Sequence, residues 1–238
     1  MHQGRLHGRT CPIVRKKFIR IKKMKQYPKI QTVFKRDMSN RGRIIETEFA
    51  LPEFEYLKGN EWVWTEKVDG TNIRVDWVRS VGRKFGGKTD NAQIPARLIA
   101  RLEELFPPEK LDAAIRTEDA DSLTLYGEGY GAKIQSGGNY IRDGVDFVLF
   151  DVLVGGWWLR REDMLQVAGA LGLRTVPIVG WGKLMEAVER TKFGFKSEWG
   201  DFQAEGLVMK PFCELLTRGG KRVISKIKFK DFAREDKE

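Results

Sequence analysis

Two apolar segments typical of β-strands, residues 62–65 and 73–77, flank a short polar string at residues 66–72, EKVDGTN. Because the string contains a glycine, it is typical of a turn, and the pattern predicts two strands that flank it. Further strand-like segments follow at residues 122–127, 147–154, 206–210 and 223–229. A chain with this pattern has to fold around β-sheets, and we expect most of its strands to pair in antiparallel fashion.

The helical signals lie between these strands. In residues 91–106, apolar residues recur at helical spacing, and prolines at positions 107 and 108 end the segment. The recurring residues are Ile94, Leu98, Leu102 and Leu105. Residues 161–171, which stop before Gly172, and residues 183–191 predict two further helices. The pattern therefore predicts an α+β fold with antiparallel sheets and flanking helices.

The positive charge of the chain is concentrated at its N-terminus. The net charge is +10, but nine basic residues and no acidic residue lie within residues 1–26, which leaves 34 basic and 33 acidic residues elsewhere. We predict a basic N-terminal tail or extension over residues 1–39 and one domain over residues 40–238. Three interpretations of residues 1–26 stay open: a leader without catalytic role, an arm that contacts RNA, and a targeting peptide.

The rare residues exclude several classes of protein. The two histidines, His2 and His7, both lie in the first ten residues, which excludes a Ser-His-Asp triad and a His-ligated zinc site in the domain. Cys11 and Cys213 are too far apart for a metal motif and fit a reducing compartment. No apolar run is long enough to span a membrane, and no secretion signal is present. We expect a cytoplasmic protein, of a cell or of a phage-infected cell.

Lys67, in the string EKVDGTN, is the central chemical signal. A lysine between packed strands, beside carboxylates and a glycine turn, is well placed to act as a nucleophile. Four charged motifs follow it in order: residues 126–128 (YGE), 147–151 (FVLFD), 204–211 (AEGLVMKP) and 226–228 (KIK). In the last motif Lys226 and Lys228 alternate along a predicted strand, so both ammonium groups point to one face.

These five motifs, in order over residues 66–228, resemble those of the covalent nucleotidyltransferase superfamily of polynucleotide ligases and capping enzymes. DNA ligases and capping enzymes usually carry arginine two residues after the K-x-D-G glycine, where this chain has Asn72. The string K-x-D-G-T-N is similar instead to the ATP-dependent RNA ligases of the nicked-duplex and RNA-editing branch. The resemblance implies a ligase adenylation domain of the α+β class.

The resemblance also implies a role for each matched residue. Lys67 would attack ATP to form lysyl–AMP, AMP would pass to the 5′-phosphate of an RNA end, and a 3′-OH would then displace AMP. The implied catalytic residues are Lys67, Lys226 and Lys228. The implied nucleotide-binding residues are Glu66, Asn72, Lys88, Glu128, Phe150 and Glu205, with Arg83 as the alternative to Lys88. The implied ligands of Mg²⁺ or Mn²⁺, which prefer oxygen, are Glu205 and Asp151.

Several of these residues also have a purely structural interpretation. Phe150 fits core packing, Asp151 fits a cap at the end of a strand, and Glu205 fits an ion pair with Lys210. The alternative functions are a DNA ligase-like enzyme or a capping guanylyltransferase of the same superfamily, and, in another class, a non-catalytic RNA-binding module.

Only ten residues follow Lys228, so we expect neither the C-terminal OB domain of DNA ligases nor the C-terminal helical domain of many RNA ligases. The expected partner is RNA, as a nicked duplex or a broken structured RNA. The basic tail, a partner protein or a second subunit would then help to hold it.

Overall fold

The structure is a computed structural model that describes residues 25–114 and 122–232. The predictions made for residues 1–24, including most of the basic tail, lie outside the described residues. The described strands form two larger sheets and one separate hairpin.

The first sheet has five strands. In spatial order they are β1 (Gln31–Thr32), β13 (Ser225–Lys228), β12 (Gly206–Pro211), β4 (Trp62–Glu66) and β11 (Ile178–Gly182). The short strand β1 pairs with β13 in parallel, and the other neighbours are antiparallel. The sheet thus brings the strand before the K-x-D-G string beside the strands of the last two motifs.

The second sheet has six strands. In spatial order they are β10 (Arg174–Thr175), β8 (Val145–Val154), β7 (Ser122–Gly131), β5 (Thr71–Val78) and β6 (Gly82–Gly86), with β9 (Trp157–Trp158) paired to β8. The hairpin consists of β2 (Phe34–Asp37) and β3 (Arg43–Phe49). Long antiparallel ladders join β5, β7 and β8, so the second and third motifs lie on neighbouring central strands.

Five α-helices lie within the described residues. They are α1 (Pro52–Tyr56), α2 (Ala96–Leu105), α3 (Pro108–Ala114), α4 (Arg161–Leu171) and α5 (Leu184–Phe193). Short 3-10 turns cover Gly137–Asn139 and Phe229–Asp231. None of the helices in residues 25–114 and 122–232 combines the length and apolar character that a membrane span requires.

Each sheet has its own core. Helices α2, α3 and α4 cover one face of the second sheet, where Leu98, Leu102 and Leu111 are fully buried. Helices α1 and α5 cover one face of the first sheet, where Trp62 and Leu184 are fully buried. The residues between Glu66 and Thr71 link β4 to β5 and so carry the chain from one sheet to the other.

The predicted α+β class is confirmed, and the physical signals explain most element boundaries. Helix α4 ends where predicted because Gly172 adopts a left-handed conformation, with φ of +67°, that stops the helix. Helix α2 begins only at Ala96, since Pro95 precedes it in extended geometry.

Two short strands lie ahead of residue 40, where the sequence predicted the start of the domain. They are β1 and β2, and Val33, which lies between them, and Phe34 are buried in the core of the first sheet. Burial of these two apolar side chains stabilises the stretch, and no periodic pattern in the sequence indicates it. The packed body therefore begins ahead of residue 40.

Candidate active site

A cavity of about 790 Å³ lies between the two sheets. Its lining includes Lys67, Asn72, Glu128, Phe150 and Val208, which come from all of the first four motifs. Lys67 follows β4 directly, at the crossing from the first sheet to the second. The fold thus gathers residues that are distant in the sequence around one lysine.

Strand pairing places the lysines of the last motif on the cavity side of the first sheet. Val208 pairs with both Thr65 and Lys226, and Val208 and Thr65 line the cavity. Because paired residues of an antiparallel ladder point to the same face, Lys226 faces the cavity, and Lys228, two residues further on, does so too.

The carboxylate of Glu205 forms ion pairs with both Lys67 and Lys228. The Nζ atom of Lys67 lies 2.6 Å from Oε2 of Glu205, and the Nζ atom of Lys228 lies 2.5 Å from Oε1 of the same carboxylate. The side chains of Lys67, Glu205 and Lys228 are 21%, 12% and 21% exposed. Such partial burial strengthens the interaction between charges relative to water. The carboxylate holds the Lys67 amine in place and lies within reach of one of its protons.

Two glycines permit this close arrangement. Gly206 lies between Lys67 and Lys228 in the ladder and has φ of +152°, and a Cβ there would lie 2.1 Å from the carbonyl oxygen of Ile227. A Cβ on Gly70 would lie 2.3 Å from the carbonyl oxygen of Gly129. Only glycine fits at either position, so the backbone itself shapes the turn that carries Lys67.

Lys226 lies in a strongly cationic environment. Burial, followed by the charges of Lys67, Lys228 and Lys88, lowers the pKa of Lys226 to about 8. A cluster of three or more ammonium groups around Lys226 is suited to bind polyphosphate, although carboxylates such as Glu205 lie among them.

The structure distinguishes the two candidates for the cation after the first motif. Lys88 is exposed and close enough to lower the pKa of Lys226. Arg83 instead lies over the ring of Phe85 and donates hydrogen bonds to the backbone oxygens of Glu103 and Phe106. Arg83 therefore belongs to the helix-covered side of the second sheet, and Lys88 is the better candidate.

Asn72 and Glu128 form one cross-strand pair in the cavity wall. Burial is the main cause that raises the pKa of Glu128 to about 7, and the charge of Lys67 opposes this rise. The Oδ1 atom of Asn72 is buried and has no hydrogen-bond partner among the described residues. Buried polar atoms are rarely left unpaired, so the pair offers an acceptor and a carboxyl group to a bound ligand.

Phe150 and Asp151, neighbours on β8, have different surroundings. Phe150 is partly exposed and lines the cavity. Asp151 is 2% exposed and accepts two hydrogen bonds from Arg222, each of 2.9 Å, and two from Lys210, of 3.1 and 3.3 Å. Burial alone would raise the pKa of Asp151, but the charges of Lys210 and Arg222 together hold it below its usual range.

The prediction that Asp151 binds a metal does not fit this geometry. Its carboxylate is already neutralised by two cations, so its oxygens have no lone pairs to spare for a metal at low cost. The ion pair between Glu205 and Lys210 that the structural interpretation expected does not form, since Lys210 pairs with Asp151 and Glu205 pairs with Lys67 and Lys228.

Within residues 25–114 and 122–232, no cluster of three or more His, Cys, Asp or Glu side chains forms a metal site. Glu205, the other predicted ligand, lies between two ammonium groups. The donor set therefore does not fit a metal held by the protein alone. A divalent cation here would depend on oxygens of a bound nucleotide, as Mg²⁺ commonly does.

Glu66 lines the cavity, but its carboxylate is buried in hydrogen bonds to protein groups. It is 1% exposed and accepts hydrogen bonds from Oγ of Ser197 at 2.5 Å and from the backbone N–H of Glu198 at 2.9 Å. Burial raises the pKa of Glu66. Its carboxylate is thus committed to the loop after α5, and the predicted contact with a nucleotide through its backbone stays a prediction.

Sequence reasoning missed two residues of the site. Arg222 was overlooked because it lies outside the matched motifs, and Tyr27 because it lies in the predicted tail. The hydroxyl of Tyr27 donates a hydrogen bond of 2.5 Å to Asp151, and burial raises the pKa of this phenol. The sequence did contain a sign that Tyr27 lies beyond the basic tail, since the run of basic residues stops at Lys25.

Comparisons with solved structures show the same fold. A ligand-free mutant of the RNA ligase of Naegleria gruberi is 19% identical, with a TM-score of 0.61 over 87% of this chain and 58% of that chain. The same ligase with pyrophosphate is 20% identical, with a TM-score of 0.59 over 85% and 57% of the two chains. A mutant with ATP and Mn is 21% identical, with a TM-score of 0.57 over 84% and 57%.

The chain spans somewhat more than half the length of these ligase chains. No curated protein sequence matches it significantly. The sequence model of the RNA ligase family, however, matches residues 60–228, which include all five motifs and the whole Lys67–Glu205–Lys228 cluster. The chain belongs to the RNA ligase family.

Proposed function

We propose that this protein is an ATP-dependent RNA ligase that joins 3′-OH and 5′-phosphate RNA ends through a lysyl–AMP intermediate. The observation that supports it most is the Glu205 carboxylate, within 2.6 Å of the amines of both Lys67 and Lys228, at the edge of a cavity that Phe150 lines. This arrangement combines a nucleophile, a proton acceptor and phosphate-binding cations.

In the first step the amine of Lys67 attacks the α-phosphorus of ATP. A nitrogen–phosphorus bond forms, the bond to the β-phosphate oxygen breaks, and pyrophosphate leaves. The proton that the amine loses passes to the nearby carboxylate of Glu205. Lys226 and Lys228 neutralise charge on the phosphate oxygens, which is the main contribution a protein makes to phosphoryl-type transfer.

The rest of the cavity would hold the nucleoside. Phe150 offers a ring for stacking on adenine, and the Asn72–Glu128 pair offers polar groups to the ribose. Mg²⁺ or Mn²⁺, carried by the phosphates, would supply further charge neutralisation. The solved Naegleria gruberi ligase with ATP and Mn supports this choice of co-substrate and metal.

In the next two steps AMP is transferred to the 5′-phosphate of an RNA end, and a 3′-OH then attacks that phosphate and releases AMP. We propose a nicked duplex or a broken structured RNA as the substrate, because the K-x-D-G-T-N string resembles that ligase branch. We also propose that the basic residues within 1–26 help to hold the RNA, since contacts to phosphates bind nucleic acid without regard to sequence.

Label transfer from ATP to the protein tests the first step. We expect ATP labelled in its α-phosphate to label the wild type, and Lys67→Ala to abolish labelling. The matched control is Lys58→Ala, which removes a lysine outside the cavity and should leave labelling intact. Labelling by GTP alone would favour a capping enzyme, and a folded wild type without labelling would favour an RNA-binding module.

Sealing assays test the later steps. A panel of nicked and single-stranded substrates, with RNA or DNA on each side of the break, should show sealing where RNA ends meet in a duplex. Equal sealing of all-DNA nicks would instead favour a DNA ligase-like enzyme. Removal of residues 1–24 should weaken sealing most at low salt, where contacts to phosphates contribute most, while self-adenylation persists.

A further inference from the structure

The segment that precedes β1, residues 25–30, has no regular secondary structure but is fixed to the second sheet. The hydroxyl of Tyr126 donates a hydrogen bond of 2.8 Å to the carbonyl oxygen of Lys25. The amine of Lys25 lies over the ring of Trp158, 5.4 Å from its centroid. Tyr27 and Ile30 both line the cavity. This segment is therefore one wall of the candidate site.

The ring of Tyr27 packs against three aromatic rings. The centroid distances are 5.0 Å to Phe150, 5.1 Å to Tyr126 and 5.7 Å to Trp158. Its ring plane makes an angle of 74° with that of Phe150, an edge-on contact that aromatic pairs favour. Tyr27 therefore packs directly against Phe150, which also lines the cavity.

Tyr27 lies at the end of the cavity that is remote from the nucleophile. Its hydroxyl binds Asp151, which also binds Lys210. Lys210 pairs with Val63, four residues before Lys67 along β4, which corresponds to about 13 Å of strand. Phosphates held by the lysine cluster around Lys67 would therefore leave the base directed toward Phe150 and Tyr27.

We propose that Tyr27 is a positioning residue that closes the base end of the pocket and holds the Phe150 ring for stacking on adenine. This inference rests on the proposed function. It assigns a role in ATP binding to a residue ahead of the first strand, in a segment that carries none of the five motifs. Since Tyr27 is remote from the reacting phosphorus, its loss should raise the ATP concentration needed for adenylation and leave the rate at saturating ATP nearly unchanged.

Two variants separate the ring from the hydroxyl. In Tyr27→Ala, we expect the half-saturating ATP concentration for label transfer to rise about tenfold, comparable to the loss of one base-stacking contact. In Tyr27→Phe the ring remains, so we expect a value close to that of the wild type. The rate at saturating ATP should change little in both variants.

The control is Phe49→Ala, which removes a partly buried ring of the first sheet's core outside the cavity. Thermal unfolding should show a loss of stability in it, while half-saturation by ATP stays at the wild-type value. If Tyr27→Ala does not fold, Tyr27→Leu retains bulk without aromatic edges and should show the same rise.

The outcomes distinguish this inference from the proposed function. A folded wild type that is never labelled overturns the proposed function itself. Normal labelling with unchanged half-saturation in a folded Tyr27→Ala overturns only the role of Tyr27. If the half-saturating ATP concentration of a folded Tyr27→Phe rises as much as that of Tyr27→Ala, the effect belongs to the hydroxyl, and the proposed role of the ring is overturned.

Discussion

Replacement of Arg222 by leucine tests whether the Asp151 cluster is a structural element. The two partners are almost fully buried, with side chains 7% and 2% exposed, and two hydrogen bonds of 2.9 Å join them. Removal of one partner of such a pair leaves an uncompensated buried charge and costs about 3 to 5 kcal/mol. We expect about 3 kcal/mol, the lower end, because Lys210 and Tyr27 still bind Asp151 in the variant.

For a domain of this size, a loss of about 3 kcal/mol corresponds to a melting temperature lower by about 6–12 °C. That is a large part of the total free energy of unfolding, which is typically about 5–15 kcal/mol. Unfolding in urea, followed by tryptophan fluorescence, measures the loss directly. In the control Lys196→Ala, which breaks an exposed pair with Asp201, the midpoint should hardly move.

The pH dependence has a defined sign. The pKa of Asp151 is lower in the folded protein than its ordinary value, so its pairing stabilises the fold above the ordinary pKa of about 3.9. That stabilisation is lost as the pH falls through the lowered folded value. The deficit of Arg222→Leu should therefore be largest near neutral pH and shrink in acid. A variant as stable as Lys196→Ala at neutral pH would refute the structural role of the pair.

Two further predictions concern the lysine cluster. Lys226 has a pKa of about 8, whereas an arginine at this position would stay protonated. The affinity of the wild type for the unreactive analogue α,β-methylene-ATP should therefore fall severalfold between about pH 7 and pH 9, and the affinity of Lys226→Arg should fall less. Equal slopes of affinity against pH in calorimetric titrations would contradict this. Gly206→Ala should abolish label transfer and lower the melting temperature, since its Cβ would lie 2.1 Å from the Ile227 oxygen; wild-type labelling by this variant would show that the strand tolerates a side chain there.

Local sequence patterns predicted much of the fold because their physical causes are local. The apolar alternation around Trp62 and the helical spacing up to Leu102 each reflect burial of one face, and the elements β4 and α2 appear where these patterns occur. The hairpin of β2 and β3 was missed because its strands are rich in charge. Among the described residues of the two strands, Phe34, Ile44 and Phe49 pack against the core of the first sheet. Their partners are distant in the sequence.

The parts of the candidate site that lie within short sequence motifs could be predicted from the sequence. The string around Lys67 and the alternation of Lys226 and Lys228 indicated a lysine nucleophile among phosphate-binding cations, and the structure brings these lysines together on one sheet face. The motifs did not predict which carboxylates form ion pairs and which stay available to a ligand. Asp151 appears as a free carboxylate in the sequence, yet Arg222, 71 residues away, neutralises it.

By itself the sequence determined the α+β class and the order of the motifs and predicted Lys67 as the nucleophile, because these depend on residue types and on spacings within one strand or helix. The tertiary structure alone decided which charged groups form pairs: Glu205 bridges Lys67 and Lys228, Asp151 pairs with Arg222 and Lys210, and Tyr27 binds Asp151 at the cavity. The physical reason is that ion pairing and ring packing act over a few ångströms in space. Those distances arise only when the two sheets close around the cavity.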